Sequence, residues 1–144
     1  MFQRILVPTD GSDITAKAVD TAIRLAKSLN ARLYTISVKE PFPYSAISEM
    51  QPTPPQEFFE AQERIAARRI QDVREAAEAQ GVDCEAHTIE ALHPWEAIIE
   101  HAQRMGCDVL VMASHGRRGV TALLLGSETQ KVLTHSKIPV LVVR

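Results

Sequence analysis

Residues 108–132, DVLVMASHGRRGVTALLLGSETQKV, join an apolar run, a stretch of small and basic residues, and a Gly-Ser pair opening a helical pattern. Each part has a use at a phosphate. Small residues let the main chain come close to a ligand, and consecutive N–H groups form an anion-binding concavity. A helix N-terminus adds unpaired donors and the positive end of the dipole. Ser127 reads as the N-cap, its hydroxyl accepting a hydrogen bond from the first turn. Arg117 and Arg118 bring positive charge. The plain alternative is an ordinary strand-to-helix connection that binds nothing. A second polar cluster, Pro8-Thr9-Asp10-Gly11-Ser12, follows the first apolar run. Asp10 there could meet a ribose hydroxyl or a phosphate-bound Mg²⁺, or simply cap the turn before a helix.

The elements that must position these residues alternate strand and helix, which predicts a parallel sheet covered by helices. The pattern predicts a strand at 5–7, a helix at 13–29 capped by Ser12 or Asp13 and closed at Asn30, and a strand at 32–38. Residues 39–56 hold five of the eight prolines and read as a loop. The longest helix is predicted at 57–80, with Phe59, Ala66, Ile70, Val73 and Ala77 on its buried face and Gly81 beyond its end. In 82–89, Val82, Cys84 and Ala86 alternate with Asp83, Glu85 and His87, marking an edge strand with one wet face. Pro94 opens the next helix, which buries Ala97, Ile98, Ala102 and Met105. A strand at 108–112, a helix from 127 to about 135, and a last strand at 138–143 complete the series.

A chain of 144 residues is expected to form one domain over 1–144 and to bury about 70% of its unfolded surface. A net charge of −2 with dispersed cations gives no nucleic-acid surface. No apolar run approaches the roughly 20 residues of a bilayer span, and the first strand leaves no room for a signal peptide. A cytoplasmic location is expected, with Cys84 and Cys107 as reduced core residues.

The spacing Ala113-x2-Gly116-x9-Gly126-Ser127 resembles the G-x2-G-x9-G-[S/T] nucleotide-binding signature of the universal stress protein family. Ile5-Leu6-Val7-Pro8-Thr9-Asp10-Gly11-Ser12 resembles the family's first strand and turn, and Ile138-Pro139-Val140-Leu141-Val142-Val143 its last strand. The resemblance spans essentially the whole chain. It implies an α/β fold: an open, doubly wound, five-stranded parallel sheet of order 3-2-1-4-5, adenine-nucleotide alpha-hydrolase-like, with helices on both faces. In that order the two polar clusters meet at the carboxyl ends of strands one and four, where such sheets bind ligands. It also implies an ATP-binding regulatory protein of the stress response, possessing Mg²⁺ if Asp10 meets a phosphate-bound ion. The nucleotide-binding residues so implied are Pro8, Thr9, Asp10, Val38, Met112, Ala113, His115, Gly116, Arg117, Gly119, Gly126, Ser127, Glu128 and Thr129.

Two positions depart from the signature. Ala113 replaces its first glycine, at a cost of about 1–2 kcal/mol if the backbone is left-handed and little if it ends an extended strand. Glu128 stands where an apolar residue is expected; its charge suits a first helical turn but would repel a phosphate. These two residues are the basis of a second reading, a family member acting through protein contacts alone. A third is a slow ATPase. Walker A, GxSxG and complete GxGxxG patterns are absent, so no catalytic residue is assigned and at most very slow hydrolysis is expected. The five histidines show no zinc spacing. His87 and His101 are expected to be solvated, and His115 to shape its loop. The apolar last strand, at a sheet edge and blunted only at Pro139, predicts a two-fold homodimer with Val140 and Val142 near its axis.

Overall fold

A computed structural model describes residues 1–41, 56–116 and 124–144. Along these residues run β1 (Arg4–Pro8), α1 (Asp13–Leu29), β2 (Arg32–Lys39), α2 (Gln56–Ala79), β3 (Cys84–Glu90), α3 (Pro94–Arg104), β4 (Val109–Ala113), α4 (Ser127–His135) and β5 (Val140–Val143). The strands form one parallel sheet in the order β3-β2-β1-β4-β5, the order expected. Arg117, Gly119 and most of the proline-rich stretch lie outside the described residues.

Side chains alternate across the sheet and build a core on each face. Ile5, Val7, Leu33, Val109 and Val111 meet Ala18, Val19, Ala22 and Ile23 of α1 with Val73 and Ala77 of α2. On the other face Leu6, Tyr34, Ile36, Leu110 and Met112 meet Ile98 and Ala102 of α3 and Val132 of α4. Local chemistry fixes the ends of α1. Ser12 Oγ accepts from the Thr15 amide, and Asn30 closes the helix with φ 53°, the left-handed turn that asparagine tolerates. The two cysteines are free, and burial pushes both thiols up to about 11, so they remain protonated core residues near neutral pH.

Four expectations are corrected. Phe59 lies off the buried face of α2, 42% exposed, while Ala66, Val73 and Ala77 carry the packing. The wet face assigned to β3 is partly covered, with Glu85 and His87 both half-buried. His101 of α3, expected in solvent, is 2% exposed, and the His87 ring packs edge-on against it at 5.1 Å. The last strand begins at Val140 rather than at residue 138. Ser136 Oγ engages both the amide and the carbonyl of Ile138 in a local turn before the strand begins.

Candidate functional site

The site begins where two strands part. Along β1, alternate residues address different neighbours: the Gln3 carbonyl accepts from Arg32 and the Thr9 amide donates to Ile36, whereas the Arg4 carbonyl accepts from Asp108. Even-numbered residues therefore face β4. Pro8 falls on that side and has no N–H to donate. The β1–β4 register covers Ile5↔Val109 and Leu6↔Leu110, while the β1–β2 register runs through Pro8↔Ile36. The strands separate at their carboxyl ends, and both polar clusters are delivered to that crevice.

On one wall, Thr9 is buried and Asp10 half-buried. Asp10 Oδ1 accepts from the Ser12 amide and from Thr15 Oγ1, both at 2.9 Å, an arrangement that fixes the carboxylate while capping the turn. On the other wall, Ala113 is extended and buried as the last residue of β4. Asn30 is the non-glycine residue with positive φ among the described residues, so Ala113 carries no left-handed strain. Its carbonyl faces the side that β1 has vacated and accepts from Thr129 Oγ1 at 2.8 Å. Val38 and Met112 lie on the α3 and α4 face, Val38 at the carboxyl end of β2 and Met112 one residue before the end of β4.

The walls approach each other closely at two glycines. A Cβ at Gly116 would lie 2.9 Å from Asp10 Oδ2. One at Gly126 would lie 2.9 Å from the His115 Cα and 3.0 Å from its Cβ. The Gly126 amide donates to the Ser114 carbonyl at 2.7 Å. Gly126 has φ −62° and ψ 154°, an ordinary extended conformation, so glycine is needed here for space rather than for a special backbone. His115 Nδ1 lies 3.2 Å from Ser114 Oγ.

The N-cap of α4 is Gly126, which has no side-chain cap, and this corrects the expectation for Ser127. Ser127 is the first helical residue and is exposed. The side chain of Glu128 also differs from expectation. Its Oε2 accepts from the Trp95 amide at 2.8 Å, so the carboxylate serves the N-terminus of α3. Three residues that position the site escaped the sequence reading. Thr15 falls within the visible Ser12-x2-Thr15 pattern, whereas Ser114 and Trp95 act through the backbone and left no signal in residue type.

The sequence model of the universal stress protein family matches residues 1–144. The universal stress protein YxiE of Bacillus subtilis is 33% identical over the full length of both chains. Universal stress protein UspA from Lactobacillus plantarum superposes with a TM-score of 0.82 at 22% identity, covering 99% of this chain and 98% of that one. A universal stress protein in complex with cAMP superposes with a TM-score of 0.72 at 27% identity, covering 99% and 97%.

Proposed function

This chain belongs to the universal stress protein family, and from that premise we propose that it binds an adenine nucleotide, ATP foremost, in the crevice between β1 and β4. Bound nucleotide biases contacts with partner proteins, so the ligand acts as a state signal in the stress response. The reading is carried by the meeting of the two polar clusters at the mouth of a doubly wound sheet, where Gly116 lets the main chain come up to Asp10 and Gly126 lets it come up to His115. The N-terminus of α4, without a side-chain cap, offers main-chain donors for phosphate. Pro8, Thr9, Asp10, Val38, Met112, Ala113, His115 and Thr129 complete the proposed surroundings. A cAMP complex of a relative supports adenine nucleotides as the ligand class.

Both objections from the sequence lose force. Ala113 is extended, and Glu128 serves α3, so neither residue favours a chain that works without nucleotide. Mg²⁺ carried by ATP fits this donor set, since the ion takes one or two carboxylates beside phosphate oxygens. Asp10 would supply that carboxylate; the described residues contain no group of three metal-binding side chains. The assembly proposed is a homodimer through the 138–143 edge.

Calorimetric titration of ATP into nucleotide-free protein tests the reading. Saturable binding is expected, and Gly126→Val should weaken it strongly by driving a side chain into His115. No saturable heat up to millimolar ATP would overturn it.

A further inference from the structure

The bridge from Glu128 to Trp95 joins the two helices that flank the crevice, and its position next to Ser127 gives it a specific consequence. The N-cap residue of α3, His93, makes no side-chain cap bond, and the Trp95 amide is one of the donors a helix start leaves orphaned. Glu128 Oε2 takes that donor at 2.8 Å from a residue 33 positions away. The carboxylate also meets the positive end of the α3 dipole. The contact is reinforced at the far end of α4, where the His135 ring stacks on Trp95 with centroids 4.6 Å apart and planes 25° apart.

Three successive residues tie the start of α4 to three different places. Glu128 holds α3, Thr129 Oγ1 holds the Ala113 carbonyl at the end of β4, and Gln130 Nε2 holds the Leu125 carbonyl at 2.7 Å. These ties leave the Ser127 position little freedom to translate or rotate. Resting on the nucleotide reading above, we propose that Glu128 is a positioning residue for the phosphate end of the site. It fixes the first turn of α4 by capping α3, and in doing so it points its own charge away from the phosphate. The acidic departure from the family signature thereby becomes a device for aligning the α4 amides.

ATP and adenosine are titrated calorimetrically into wild type, Glu128→Ala and Glu128→Gln. Loss of a charge-assisted hydrogen bond from Glu128→Ala is expected to weaken ATP about tenfold and adenosine much less. Glu128→Gln retains an acceptor for Trp95 and is expected to recover most of that loss. ATP binding unchanged or tightened in Glu128→Ala overturns the proposal and makes the carboxylate a repulsive neighbour. Amide hydrogen exchange without nucleotide separates this proposal from the one it rests on. Glu128→Ala should speed exchange at Trp95 and in the first turn of α4 and leave β1 unchanged, and unaltered exchange refutes the bridge. Faster exchange in a protein whose wild type ignores ATP keeps the bridge and removes the nucleotide reading.

Discussion

Ser127 and Gly126 show how one helix boundary changes what a residue is for. Placed at the N-cap, Ser127 would contribute the stability of a capping bond; placed one residue later, its hydroxyl is outside that bond and faces solvent. Ser127→Ala is therefore expected to change stability in urea by less than about 0.5 kcal/mol, rather than by the ~0.5–2 kcal/mol of a lost cap. If ATP affinity falls in that variant while adenosine affinity is retained, the hydroxyl acts on phosphate. A loss of stability in the capping range would restore the capping role. The sequence identified the residue types at 126 and 127 but not the boundary between them, because helix starts are uncertain by one or two residues on pattern alone. Glu128 was misread for a different reason: its partner is remote in sequence and bonds through a backbone amide, which carries no mark in the letter code.

Among the elements, α3 holds the largest departure from the pattern. His101 is almost wholly buried under the helix, and neither ring nitrogen has a hydrogen-bond partner among the described residues. His87 and Glu85 of β3 and Arg104 of α3 are the titratable and charged groups that act on it. Burial holds its pKa below the ordinary histidine value, with His87 and Arg104 adding to the effect and Glu85 opposing it. A histidine kept neutral in the folded chain binds its proton more readily when unfolded. Its contribution to stability is thus present above the unfolded value near 6.5 and is lost as pH falls below it. Urea midpoints of wild type should fall from pH 7 to pH 5 more steeply than those of His101→Leu; equal slopes would disprove the assignment. Periodicity placed α3 correctly and found Ala97, Ile98 and Ala102, but it could not show that His101 meets His87 on the side of β3 that alternation marked as wet.

On the scale of the whole molecule, the sheet leaves β5 at one edge with Leu141 41% exposed and Val140, Val142 and Val143 only half-buried. An edge with no charge in its interior templates another strand unless something covers it. Wild type is expected to sediment as a dimer at tens of micromolar and Val142→Lys as a monomer. A monomeric wild type would defeat the assembly, and a dimeric variant would move the interface elsewhere. The alternation of elements and the resemblance together made the sheet order legible before any coordinate, since each strand's apolar run and each helix's stripe agree with the same two-faced core. What remained hidden was where contacts join elements far apart in sequence: the glycine approaches, the Glu128 bridge and the histidine pair.

Pro8 shows how small a local contribution to a crevice can be. At the switch point where β1 and β4 diverge, the nitrogen on the β4 side of β1 carries a ring instead of a hydrogen, so no ladder bond can form there. The ladder between the two central strands unzips from that rung onward, and its released carbonyl at Ala113 is claimed at once by Thr129. A proline as the last residue of β1 thus keeps the two strands from zipping together at the end where both polar clusters emerge.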